Sequence, residues 1–231
     1  MEPFEKFTEN FQKSWDTHME AFGPILGPAF MNNFEAKVHL VSALNSISKN
    51  EIQKGFAKLS IIKDMCSCNE DFAVFYFSMG LGFELSGMQK EMCRCYEECV
   101  KYEPDFSLPY LMIAKCAHSA ANLEYAEKNY KKCAEFLEKE NSPKQTPFVR
   151  ASIYTNYFSC LTSLGKYEEA EKILKKSEEI FPDMPQRLHY AAILYAYMGN
   201  PEKLFEYMEK LKNTNMELYL ATKKLIEELT Q

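Results

Sequence analysis

The sequence predicts an all-α chain: a solenoid of repeated helix pairs, preceded by one helix and closed by a capping helix. Three observations carry this expectation. Valine occurs only five times, against 28 glutamates and 24 lysines, and glycine and proline together make 18 of 231 residues. A sheet protein draws on β-branched residues and turn formers, whereas Glu and Lys favour helices. Apolar residues recur at spacings of three and four, the helical period. Finally, the chain aligns on itself with a period of 34 residues, the mark of a repeat architecture.

Taken in order, residues 1–35 hold Phe4, Phe7, Phe11, Trp15 and Met19 on one helical stripe, ended by Gly23-Pro24 and Gly27-Pro28. This amphipathic helix is expected to cap the first repeat, to lie in the groove of the solenoid, or to pair with another copy as a homodimer. Glu2, Glu5, Glu9 and Asp16 oppose binding to an anionic membrane surface. Residues 36–215 form the solenoid, with a degenerate unit at 36–70 that carries Ala43 and Gly55 at its small positions. Tyr76/Tyr110, Gly80/Ala114, Tyr96/Tyr130 and Cys99/Cys133 then stand 34 apart, as do Tyr154/Leu188, Leu161/Tyr195 and Gly165/Gly199. Ten extra residues separate the two blocks and fall in the segment 139–148, KENSPKQTPF, whose prolines, Asn and Ser read as a surface loop. Within each unit a first helix ends at a glycine such as Gly87, a second follows, and a proline such as Pro104 closes the unit. Small residues at Gly80, Ala114, Ala126 and Ala170 predict close approach of helix axes. Residues 216–231 read as the capping helix, Leu218, Leu225 and Leu229 facing inward and Lys223, Lys224, Glu227 and Glu228 outward.

These residues resemble the tetratricopeptide repeat (TPR) family. The resemblance rests on the first-helix aromatics Tyr76, Tyr110 and Tyr154, the small residues Gly80 and Ala114, the turn glycines Gly87, Gly165 and Gly199, the second-helix alanines Ala126 and Ala170, and the closing prolines Pro104 and Pro182. Phe158, Met92 and Leu204 depart from the pattern. The resemblance implies a right-handed α-solenoid whose first helices line a concave, peptide-binding groove. It places Leu40, Leu44, Phe77 and Leu81 at the apolar end of that groove. Leu111, Lys115, His118, Asn156 and Ser159 follow, and then His189, Tyr190 and Tyr197. TPR domains that hold acidic chaperone tails clamp the terminal carboxylate with Lys, Asn and Arg; here Lys115 and Asn156 alone match, which disfavours that ligand.

Several classes of function are excluded on chemical grounds. A net charge of -6 with three arginines is wrong for tracking a phosphate backbone, so no nucleic acid partner is expected. No apolar run reaches membrane-spanning length, and the acidic N-terminus lacks a signal peptide's basic region, so neither a membrane nor secretion is expected. His18, His39, His118 and His189 are scattered, and no nucleophile elbow or phosphate loop is present. Eight cysteines are expected as packed thiols in a reducing cytoplasm. The pairs Cys66/Cys68 and Cys93/Cys95 lack zinc-site spacing, so neither metal nor cofactor is expected. The expected function is therefore non-enzymatic: a cytoplasmic protein–protein interaction scaffold or chaperone binding a peptide or amphipathic helix of a partner. The alternatives are a regulatory peptide-sensing subunit and a secretion-type chaperone for an exported substrate.

Overall fold

A computed structural model describes residues 30, 32–139, 147–182 and 184–229. Among the described residues there are eleven helices and no strand: α1 (Phe34–Ser48), α2 (Ile52–Lys63), α3 (Asn69–Leu85), α4 (Gln89–Tyr102), α5 (Ser107–Ser119), α6 (Leu123–Lys139), α7 (Pro147–Ser163), α8 (Tyr167–Ile180), α9 (Pro185–Tyr197), α10 (Pro201–Thr214) and α11 (Met216–Leu229). The chain forms two compact units. One takes Met1–Cys116 with Glu135–Gln145, the other Ala117–Ala134 with Thr146–Gln231. The aromatic stripe from Phe4 to Met19 and the Gly/Pro turn lie outside the described residues. Of the segment 139–148 expected as a loop, Lys139 closes α6, Pro147 and Phe148 open α7, and the residues between lie outside the described ones. Proline suits a first helical turn, whose N–H groups lack intrahelical partners anyway.

Local chemistry sets the helix ends. Asn33 caps α1, its Oδ1 accepting from the N–H groups of Glu35 (2.9 Å) and Ala36 (3.3 Å). Buried Asp71 accepts from both the N–H and the hydroxyl of Ser67 at 3.0 Å and so ties the entry of α3. Each of the five helix-pair turns carries one residue in the left-handed region: Asn50 (φ 62°), Gly87 (69°), Ala121 (57°), Gly165 (73°) and Gly199 (62°). In every case that residue donates to the carbonyl three positions back, and the next N–H donates five back, as from Met88 to Phe83 (3.0 Å) and from Asn122 to Ala117 (2.9 Å). This is the Schellman ending, in which two orphan carbonyls gain partners. The glycine stops at 87, 165 and 199 were legible; Asn50 and Ala121 fill the same place without glycine. A Cβ in this region costs about 1–2 kcal/mol, partly offset by glycine's greater freedom when unfolded. Ala121→Gly should therefore stabilise the protein by about 0.5–1 kcal/mol, read as a raised urea midpoint; an unchanged or lower midpoint would sink the idea.

The small positions behave as expected. Ala114, Ala126 and Ala170 are fully buried, and a Cβ added to Gly80 would stand 2.6 Å from Cε1 of Tyr96. In the first unit, α3 packs on α4 and on α1 and α2, so that Leu40, Leu59, Ile62, Val74, Phe77, Tyr96 and Phe106 share one core. In the second unit, α7 packs on α8, α9 on α10, and α11 on both α9 and α10. Arg187 is 1% exposed there and ends α8 from outside. Its guanidinium donates to the carbonyls of Ser177, Phe181 and Pro182.

The α11 helix docks by a different face from the one expected. Thr222 is its one buried residue, with Leu218 and Ile226 half-buried, while Leu225 and Leu229 are exposed. A hydroxyl that bonds both its own helix and a neighbour has displaced the leucine stripe from the interface.

Candidate functional site

In the first unit the groove expected from the sequence is largely closed. Leu40, Leu44 and Phe77 are buried in the core, the Phe77 ring lying 5.4 Å from that of Tyr96 and 5.0 Å from that of Phe106. These three positions are corrected from groove to core: α3 buries Ala73, Val74, Phe75, Phe77, Ser78, Gly80 and Gly82 and so turns apolar surface inward on nearly every side. Leu81 and Leu111 are half-buried, and Lys115 is exposed.

In the second unit the first helices keep an accessible strip. On α7 it comprises Ser152, Asn156, Ser159 and Ser163; on α9 it comprises Gln186, Tyr190, Ile193 and Tyr197. Each α9 residue stands 34 positions after its α7 counterpart, so the repeat presents the same helical face twice. The neighbours Tyr154, Thr155, Phe158, Leu188, Ala191 and Ala192 are buried and hold both helices in place. Ser152 donates to the carbonyl of Phe148 (2.9 Å), and Asn156 Nδ2 to that of Ser152 (2.8 Å). The amide oxygen of Asn156 has no hydrogen-bond donor among the described residues. Tyr190 stands edge-on to Phe158 at 6.3 Å, while Tyr197, 48% exposed, stacks on Tyr167 at 6.1 Å and 11°. The strip is thus uncharged, with hydroxyl and amide groups on α7 and aromatic rings on α9.

Two histidines expected in the groove are tied into packing instead. His118 lies edge-on to Tyr130 at 6.2 Å. His189 Nδ1 lies 2.7 Å from Oγ1 of Thr222. Because the Thr222 hydroxyl donates to the carbonyl of Leu218 (2.6 Å), Nδ1 carries the proton and donates to Thr222, a clip between α9 and α11 that the sequence does not reveal. Burial holds both imidazoles below the ordinary value of 6.5. A depressed histidine pKa means that the unfolded chain takes up the proton first. Stability is therefore full above pH 6.5 and falls as the pH drops through that value toward the folded pKa. A melting temperature lower at pH 5.5 than at 7.5, with a shallower drop in His189→Gln, is the expected result; an equal drop in the variant would remove His189 as the cause.

Lys58 of α2 reaches α1, its Nζ lying 2.6 Å from Ser42 Oγ, 3.0 Å from Ser46 Oγ and 3.2 Å from the Ser42 carbonyl. Serine beside lysine suggests nucleophilic catalysis, but here the Lys58 Nζ is spent on three acceptors of α1 and the Ser42 hydroxyl accepts from it. Ser42 also lies mid-helix, where backbone N–H groups already serve the helix and none can stabilise an oxyanion. This arrangement is a clip between α1 and α2. All eight cysteines are free thiols. Burial pushes Cys66 and Cys93 up to about 12, aided at Cys66 by the Asp71 charge and at Cys93 by a hydrogen bond with Cys116. Such thiols are poor nucleophiles and poor metal ligands. Among the described residues no three His, Cys, Asp or Glu side chains gather as a metal site, and no helix is long and apolar enough to cross a membrane.

Helix pairs closed by a left-handed turn, small residues between their axes and a 34-residue face repeat define a TPR-like helical repeat protein. Among solved structures the chain is similar to YrrB, described as a TPR protein with an unusual peptide-binding site, with a TM-score of 0.65, 21% identity, and 85% of this chain and 96% of that one covered. It is also similar to MamA, with a TM-score of 0.63, 11% identity and coverage of 79% and 93%. The MamA RS-1 ArsTM double mutant gives 0.65, 10%, and 82% and 97%. No protein-family model matches the sequence, and no curated protein does.

Proposed function

We propose that this protein is a non-enzymatic, cytoplasmic interaction scaffold or chaperone that holds a peptide or helical segment of another protein on its first helices. The observation that carries this reading is the accessible strip of the second unit, Asn156 and Ser159 on α7 and Tyr190 and Tyr197 on α9, repeated in register on a buried support. Aromatic anchors on a rigid base supply most of the energy in such recognition, and the Asn156 amide oxygen is placed to accept from a peptide backbone. An uncharged strip favours an apolar or polar segment over an acidic tail. The peptide-binding site of YrrB is consistent with this use of the fold. Free thiols throughout fit a reducing compartment.

The test is selection of peptides from a displayed random library on the intact protein, followed by titration of the selected peptides. Tyr190→Ala combined with Asn156→Ala should weaken them by on the order of 100-fold while the thermal melt stays near that of the parent. Selected peptides that bind the double variant as tightly as the parent would remove the strip from consideration.

A further inference from the structure

The first unit closes a helix face that the second unit leaves open. In the accessible strip, Asn156 and Tyr190 stand nine places before the left-handed turn residues Gly165 and Gly199. The same count back from Asn50 and Gly87 gives Val41 on α1 and Ser78 on α3. Val41 is 4% exposed and Ser78 is fully buried. Three places on, Ser159 and Ile193 are half-buried, whereas their counterpart Leu44 is 4% exposed. The second helices do not provide this cover, because they meet other sides of α1 and α3: Gly55 of α2 lies against Ala43 and Ile47, and Tyr96 of α4 against Gly80. Nor does the core of the unit provide it at Val41. Leu40, Ala43 and Leu44 belong to that core, and Val41 between them does not.

We infer that residues 1–22 of the same chain fill this concave face of the first unit, as a groove ligand built into the protein. Chain path, length and charge select this occupant. Phe30 is fully buried in the core of the first unit. The seven residues 23–29 before it span at most about 25 Å, so the segment is delivered beside α1. From Phe4 to Met19 the large apolar residues Phe7, Phe11 and Trp15 recur at helical spacing. Those sixteen residues measure about 24 Å as a helix, which is the width of three first helices packed about 8–10 Å apart. Residues 1–22 hold five acidic side chains against two lysines. The matching positions of α1, α3 and α5 include Lys37 and Lys115 and no acid. An aromatic stripe laid on Val41, Leu44 and Leu81 removes apolar surface from water, and its acidic flanks meet the lysines. A partner helix then reaches the first unit by displacing this segment, which makes the contact autoinhibitory. The inference concerns residues apart from the strip on α7 and α9, and either can fail without the other.

Photo-crosslinking in the full chain tests it. With benzoylphenylalanine in place of Phe11, irradiation should join position 11 to α1, α3 or α5 of the same chain, at residues such as Leu44, Leu81 or Met112. Attachment to α2, where a cap on the first repeat would lie, attachment to a second copy, read as a product of doubled mass, or no attachment at all would overturn the inference. Trp15 is the single tryptophan of the chain, and its emission gives a second reading. Leu81→Glu with Lys115→Glu alters a half-buried and an exposed residue of the face. Trp15 emission should shift to the red and its quenching by iodide should rise, with the far-ultraviolet circular dichroism unchanged. Emission that is the same in parent and variant would equally overturn the inference.

Discussion

Arg187→Ala is expected to destabilise the protein by about 2–4 kcal/mol, the sum of a carbonyl left without its donor, at about 1–3 kcal/mol, and of the space the side chain vacates. Arg187 opens α9, yet its guanidinium serves the end of α8, donating to the carbonyls of Ser177, Phe181 and Pro182. That end has no left-handed turn to close it: Phe181 is extended (φ -150°), and its N–H reaches only Ser177. The last carbonyls of a helix carry partial negative charge and need donors. A planar fork fixed on the next helix meets several of them at once. Around it lies a buried polar knot in which the hydroxyls of Thr155 and Ser177 are 2.9 Å apart and Ser177 donates to the carbonyl of Ala151 (3.0 Å). Alanine would leave the buried Ser177 carbonyl without this donor, hand those of Phe181 and Pro182 to solvent, and add a cavity. Arg187→Lys should recover only part of the loss, since one ammonium cannot span the carbonyls that the fork reaches. Urea denaturation is the measurement. An alanine variant within 1 kcal/mol of the parent would show that water or a rearranged turn replaces the guanidinium without loss.

The role of Arg187 was not legible in the sequence, and the reason is general to this fold. Features fixed by local chemistry were legible: the 34-residue period, the turn glycines 87, 165 and 199, and the small positions at 80, 114, 126 and 170 each follow from a constraint on one turn or one helix contact. The strip through Asn156, Ser159, Tyr190 and Tyr197 was legible for the same reason, because helical spacing assigns a face. Whether another element covers that face is a tertiary fact. Leu40, Leu44 and Phe77 have the apolar pattern of an open groove and of a closed core alike, and packing of α3 on α1, α2 and α4 decided for the core. His189 reads as a groove residue until Thr222, 33 positions later, meets its ring. Leu225 and Leu229 look like the inner face of α11 until the Thr222 contact sets the helix's rotation. Asn50 and Ala121 hide for a different reason: the Schellman bonds hold a left-handed backbone that their side chains merely tolerate.

Gly80→Ala is expected to destabilise by about 2–3 kcal/mol, although the same change in an ordinary helix interior stabilises by about 1 kcal/mol. Gly80 lies in α3 where the ring of Tyr96, from α4, covers the backbone. A Cβ would meet Cε1 at 2.6 Å, Cζ at 2.8 Å and Cδ1 at 2.9 Å. These are ring atoms of a fully buried side chain, not the free end of a flexible one. The Tyr96 hydroxyl has no hydrogen-bond partner among the described residues, so no bond pins the ring; Phe77 at 5.4 Å and the surrounding core do. Steric exclusion should therefore outweigh helix propensity, and the effect should vanish when the ring is removed. In Tyr96→Leu, which has itself lost packing, adding Gly80→Ala should cost little, giving a coupling of about 1–2 kcal/mol between the two positions. Additive losses would mean that the glycine is required by something other than the Tyr96 ring. A neutral Gly80→Ala would mean that α3 and α4 can separate by a few tenths of an ångström without loss. The close approach that the repeat places at Gly80 and Ala114 would then be a preference of this fold and not a condition of it.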